Sequence, residues 1–227
     1  MKFFLFITCF CFLLSNENKE VLTYDAEFKN IGAGSATIQT STVGDKQEIL
    51  FTFKTNKIID FFYKLKESII MIVDSNNYSL EYINKKSQQG KRIKNHEAYF
   101  DYRNNQIYSK NDTTTFKNKL YNPISIISFL KNQKLKMNNQ YTFYTYSFGK
   151  IKKIGMKVIS EEKVLIKNKQ YSCFVLAPFY FNEIDEKNKK GNIKLWISKK
   201  EKLPIIIEQT ANFGEIILTL NNVQYVQ

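Results

Sequence analysis

Val21-Leu22-Thr23-Tyr24-Asp25-Ala26-Glu27-Phe28 sets Leu22, Tyr24, Ala26 and Phe28 on one side of an extended chain and Thr23, Asp25 and Glu27 on the other. A period of two with one apolar face is the pattern of a half-buried β-strand. Ile31-Gly32-Ala33-Gly34 follows, two glycines that permit a bend or bulge, and Ser35 to Thr42 then reads as the return strand of a hairpin.

The same rhythm recurs along the chain. Gln47 to Lys54 aligns Ile49, Phe51 and Phe53, whereas Ile58 to Leu65 is ambiguous, since Ile58, Ile59, Phe62 and Leu65 also fit a short helical face. Glu67 to Val73 and Tyr78 to Lys85 form a hairpin through Asn76-Asn77, and Arg92 to Tyr102 and Gln106 to Lys110 another through Asn104-Asn105. Asn122-Pro123 breaks the pattern: asparagine as N-cap and proline at the first helical position predict a short helix over 123–131. Further strands are expected at Gln140 to Phe148, Ile151 to Ser160, Lys163 to Ile166, Gln170 to Pro178, Gly191 to Ser198, Pro204 to Asn212 and Glu215 to Val223, with tight turns at Asn168-Lys169 and Phe213-Gly214. About a dozen short strands predict an all-β fold, a curved or closed antiparallel sheet of barrel-like form with one helix packed against it.

With 3 Pro and 8 Gly scattered along it, the chain shows no linker, and residues 16–227 read as a single β-rich domain. Ahead of it, Lys2, the apolar run Phe3 to Leu14 and the polar stretch from Ser15 to Asn18 have the layout of a secretory signal, with residues 1–15 as the leader. Thr8 before Cys9 and Phe10 before Cys11 argue against a lipoprotein, so an exported chain without a lipid anchor is expected. Loss of those two cysteines leaves Cys173 alone, without a disulfide partner in the mature chain.

The net charge of +13 does not point to nucleic acid, because only Arg92 and Arg103 among 34 basic residues carry the guanidinium that reads phosphate and guanine. Solvated lysine faces are the plainer reading, with an anionic partner, either lipid headgroups through peripheral contact with a membrane or nucleic acid, as the other.

The order of features resembles the uncharacterised bacterial family called domain of unknown function 3108. The resemblance rests on Leu22-Thr23-Tyr24 leading to Ile31-Gly32-Ala33-Gly34-Ser35-Ala36, on Asn122-Pro123 opening the helix that ends Phe129-Leu130, and on Gly191-Asn192-Ile193-Lys194-Leu195-Trp196-Ile197-Ser198 followed by Leu203-Pro204. It implies an exported envelope protein of Gram-negative bacteria with a β-rich fold, which makes the periplasm the expected compartment, and it implies no activity.

Catalytic and metal-binding signals are sparse. His96, the single histidine, lies among Lys94, Asn95 and Glu97 and reads as a surface residue; a metal site with two histidines is excluded. Cys173 alternates in phase with Tyr171 and Val175 and reads as a small buried hydrophobe. Glu183 to Glu186 lacks the alternating register of a calcium loop, and Gly149 and Gly155 are isolated, so no phosphate-cradling loop exists. The expectation is a protein without catalytic residues, metal or cofactor. Aromatic residues make up 15% of the chain, and Tyr24, Phe28, Phe51, Phe53 and Trp196 are candidates to line an apolar cavity or, equally, to fill a core. The first alternative is a module that binds or carries a lipid or other apolar molecule. The second is a structural or protein-interaction module of the envelope, with a filled core and an envelope protein as its partner.

Overall fold

A computed structural model describes residues 19–110, 112–179, 181, 193–211 and 214–226. The expected leader, the acidic run from Glu183 to Glu186, and Phe213 of the last predicted turn lie outside the described residues.

The chain runs through β1 (Lys19–Phe28), β2 (Ile31–Val43), β3 (Lys46–Thr55), α1 (Lys57–Phe62), β4 (Leu65–Asp74), β5 (Leu80–Gln89), β6 (Arg92–Asp101), β7 (Gln106–Ser109), β8 (Asp112–Thr115), β9 (Leu120–Tyr121) and α2 (Pro123–Lys131). It continues with β10 (Gln140–Ser147), β11 (Lys150–Ile166), β12 (Lys169–Phe179), β13 (Ile193–Ser198), β14 (Pro204–Ala211) and β15 (Gly214–Val226). Among the described residues, fifteen strands belong to one sheet in the order β8-β7-β6-β5-β4-β3-β2-β1-β15-β14-β13-β12-β11-β10-β9. The first and last strands therefore pair side by side in the middle, and two meanders spread outward as wings.

The outermost strands β8 and β9 do not pair with each other, so the ladder is curved and not closed. Side chains bring the wings together instead. Phe100 of β6 stands edge-on to Tyr146 of β10 with ring centroids 5.0 Å apart, and His96 Nε2 lies 2.8 Å from the Tyr146 hydroxyl.

Local chemistry explains the turns. Lys29 and Asn30 both take positive φ, 50° and 63°, as the tight β1–β2 hairpin requires. The two glycines after it form a bulge: Ala26 pairs with Gly34 but Glu27 with Gly32, leaving Ala33 as the extra, buried residue. At Gly34 a Cβ would lie 2.1 Å from the Lys54 carbonyl oxygen, so no side chain fits there.

Several sequence expectations need amendment. Ile151 to Ser160 and Lys163 to Ile166 are one strand, β11, continuous through a register shift near Ile159. The turn expected at Asn168-Lys169 lies one residue earlier, where Lys167 takes φ 53°. The ambiguous segment after Lys54 contains a second helix, α1, none of whose residues is buried.

Helix α2 is the interior element. Asn122 caps it, accepting from Ile124 N–H at 3.0 Å while Ser125 Oγ accepts from Asn122 N–H at 3.1 Å, a reciprocal cap of the kind that fixes a helix start. Ile124, Ile126, Ile127 and Leu130 are buried together with Ser125 and Ser128, so the helix is covered on every side, as expected of one enclosed by a sheet. Its Phe129 meets Tyr121, Tyr141 and Phe143 of one wing and Tyr78 of the other. Lys131 pairs with Glu20 of β1.

Strand directions define two ends of the barrel-like body. The β1–β2 and β5–β6 turns, α1 and the β10–β11 turn share one end, and the C-terminus of α2 points to the other.

Candidate functional site

Between the two wings and the N-terminal half of α2 lies a cavity of about 510 Å³. Its walls are aliphatic and aromatic: Phe51 and Ile69 from one wing, Ile151, Ile154, Met156, Pro178, Ile193 and Leu195 from the other, and Ile124, Ile126 and Ile127 from the helix. That volume falls within the range of roughly 300–1,000 Å³ usual for small-molecule sites, as does an apolar lining with a few polar groups.

The polar groups are mostly at the α1 end. Lys85 and Glu67 form an ion pair at 3.0 Å with side chains only 14% and 23% exposed, and Lys150, Lys152, Ser147 and Gln209 complete the mouth. The position of this pair follows from strand periodicity. Glu67 is in phase with buried Ile69, Met71 and Val73 on β4, Lys85 is in phase with buried Ile83 and Ser87 on β5, and the register sets Ile69 opposite Lys85 and Glu67 opposite Ser87. Both charges therefore sit on the inner face as diagonal neighbours.

A second, almost wholly apolar cavity of about 430 Å³ lies under α1, lined by Phe28, Ala33, Phe53, Ile59, Leu65 and Ile216 among others.

The five aromatic candidates are distributed unevenly. Phe51 lines the central cavity, and Phe28 and Phe53 line the one under α1. Tyr24 lines neither: it is fully buried, donates its hydroxyl to the Pro204 carbonyl at 3.0 Å, and burial pushes its phenol well above the usual range. Trp196 is absent from both linings and alternates with Leu195, which does face the central cavity. Its indole donates to Glu162 at 2.8 Å and Lys194 lies over its ring at 4.4 Å, and that hydrogen bond is the main cause holding the Glu162 carboxyl below its ordinary value.

The two residues with reactive potential are separately engaged. Cys173 is buried, and desolvation, with smaller contributions from Glu201 and Glu162, pushes its thiol up to about 11, so it stays protonated near neutrality. His96 is partly buried and not the surface residue its polar neighbours suggest: it sits in the seam between the wings, with Tyr146 and Phe148 at ring-centroid distances of 5.5 and 5.7 Å. Desolvation lowers its pKa. Among the described residues, no group of three or more His, Cys, Asp or Glu side chains gathers as a metal site needs, and no helix is long and apolar enough to cross a membrane.

A family model described as "Protein of unknown function (DUF3108)" matches residues 23–221. The chain belongs to that family. The match spans the β1–β2 glycine bulge, α2 and the strand that carries Trp196, the three places on which the sequence resemblance rested. No curated protein matches the sequence. Among solved structures the chain is similar to the β-barrel-like protein of domain of unknown function DUF1849 from Brucella abortus, with a TM-score of 0.62 and 11% identity over 93% of this chain and 98% of that one. At that identity the likeness shows a common fold alone. A domain from Vibrio parahaemolyticus, named as an outer membrane lipoprotein-sorting protein, aligns over 91% of this chain and 85% of its own at 10% identity, but its TM-score of 0.30 is too low to bear on fold or function.

Proposed function

We propose that this protein is a non-catalytic envelope module that holds an amphiphilic molecule, its apolar part between the wings and its anionic part at the lysine-lined mouth. The observation that carries the reading is the central cavity, about 510 Å³ with apolar walls, an aliphatic helix for its floor and Lys85, Lys150 and Lys152 at its open end. Apolar walls favour a hydrocarbon group by the area they remove from water. Lysine ammonium groups at the opening favour a carboxylate or phosphate and disfavour a cationic head. The sequence features of export agree with a cargo that moves between membranes.

The test is native mass spectrometry of protein purified from its own host's envelope, with organic extraction and identification of whatever co-purifies. Ile154→Trp adds bulk from a half-buried position on the cavity wall, whereas Trp196→Phe alters a residue outside the lining. The expected result is a stoichiometric amphiphile that is lost from the first variant and kept by the second. A clean apo mass, with no thermal stabilisation by fatty acids or phospholipids, would overturn the proposal and favour the filled-core interaction module.

A further inference from the structure

We infer that α1 and the rim around it form a docking surface for an anionic lipid bilayer, with Ile58, Phe61 and Phe62 entering the interface. The inference stands whether or not the central cavity holds a ligand.

The first observation is exposure where burial is expected. Phe61, Phe62 and Ile58 are 85%, 79% and 72% exposed, and nearby Ile31 is 61% exposed. Single exposed apolar residues are ordinary, but a contiguous group of this size marks a contact surface.

The second is that the group is held in place. Asn56 caps the helix, accepting from Ile59 N–H at 3.0 Å, and ties it to the β1–β2 bulge by donating to the Gly32 carbonyl at 2.7 Å. Its backbone N–H reaches the Ala33 carbonyl at 2.9 Å. At the far end of the segment Thr55 Oγ1 accepts from Leu65 N–H at 2.9 Å and bonds to Asp60. A six-residue helix would not hold its shape alone, and these polar anchors supply what its apolar side chains do not.

The third observation identifies the occupant. Lys29, Lys54, Lys57, Lys64, Lys66 and Lys91 are exposed on the turns and strand ends around α1, against Glu27, Asp60 and Glu215 among the described acidic residues there. Two copies docked through this face would bring like charges together, which opposes a symmetric dimer. An anionic bilayer attracts the same lysines while its acyl region takes the aromatic side chains. Placement agrees: α1 is at the end of the body where the central cavity opens, and the second, apolar cavity lies directly beneath it.

The experiment is co-sedimentation of the purified chain with vesicles of phosphatidylcholine alone and of phosphatidylcholine mixed with phosphatidylglycerol. Binding is expected to the mixed vesicles and to weaken with salt. The double variant Phe61→Ser, Phe62→Ser is expected to reduce it at least about tenfold, since each phenyl ring that enters lipid removes a large apolar area from water. Lys57→Glu with Lys64→Glu should reduce it while leaving the apolar residues intact. A wild-type thermal midpoint checks that the serine variant folds; if it does not, Phe61→Trp decides through quenching of its fluorescence by brominated lipid. Absence of binding to mixed vesicles, binding unchanged in the serine variant, an unquenched tryptophan, or a dimer that dissociates in the serine variant would each overturn the inference.

Discussion

Replacing Gly34 by alanine would place a methyl group 2.1 Å from the Lys54 carbonyl oxygen and 2.8 Å from the Thr55 Cα, both backbone atoms of the neighbouring strand. Ordinary contact begins near 3.4 Å, so β2 and β3 would have to separate by more than about 1 Å at the Gly34–Thr55 and Ser35–Lys54 pairs. Overpacking of this kind costs roughly 1–3 kcal/mol, and weakening a ladder hydrogen bond adds roughly 0.5–1.5 kcal/mol. The expected destabilisation is therefore about 2–4 kcal/mol, or a fall in thermal midpoint on the order of 4–16 °C for a chain of this size. Gly32 supplies the control, because a Cβ there meets nothing within 4 Å. Gly32→Ala should stay within about 0.5 kcal/mol of wild type. Urea unfolding of the three proteins, compared at equal m-values, separates the outcomes. A Gly34→Ala variant as stable as wild type, or a Gly32→Ala variant as damaged as Gly34→Ala, would show that the close approach of β3 is not what demands glycine at position 34.

Two further changes probe the interior. Asn122→Ala removes the cap of α2 and leaves the buried Ile124 N–H without its acceptor, for an expected loss of about 2–3 kcal/mol in urea unfolding that Asn122→Ser largely restores; equal stability of the alanine and serine variants would contradict the capping account. His96 has its pKa lowered by burial in the fold, so the unfolded chain binds the imidazole proton more readily; its seam keeps its full stability above the ordinary histidine value of about 6.5 and loses stability as pH falls through that value. Wild type should therefore lose thermal midpoint more steeply than His96→Gln between about pH 7 and pH 5, and parallel profiles would exclude His96 as the source.

What the sequence conveyed about the fold follows from which faces are wet. β1 and β3 each have one polar side, so alternation assigned Leu22, Tyr24 and Ala26, and Ile49, Phe51 and Phe53, to the inside, where they are buried. Cap chemistry placed α2 with the same directness. Trp196 was not legible in this way, because Leu195, Trp196 and Ile197 are consecutive apolar residues, all buried, and a strand apolar on both faces carries no parity. Helix α1 was ambiguous for the opposite reason: its six residues are too few to separate a helical face from a strand, and none of them is fully buried. The inward charges were readable but overlooked. Glu67 and Lys85 fall in phase with buried aliphatic residues on their strands, and a charged residue at an inward position is the signal that an interior is not simply filled.

Dimensions explain why a void remains at all. α2 has nine residues, about 14 Å of helix, while ten-residue strands such as β1, β3 and β4 run about 33 Å, or roughly 25 Å along the axis of a barrel with ordinary tilt. One helix fills little more than half that height, and its C-terminus is fixed at one end through Lys131 and Glu20. The remaining space lies above its N-terminus, where the central cavity is found. A body that needed only a packed core would gain stability from aliphatic side chains at that point, because a partly buried ion pair seldom recovers its desolvation cost. The chain instead points Glu67 and Lys85 into the space, only 23% and 14% exposed and 3.0 Å apart. Under the proposed function, a wall of this composition would meet the charged end of an amphiphile at the mouth and leave Ile124, Ile127 and Ile154 to its hydrocarbon part.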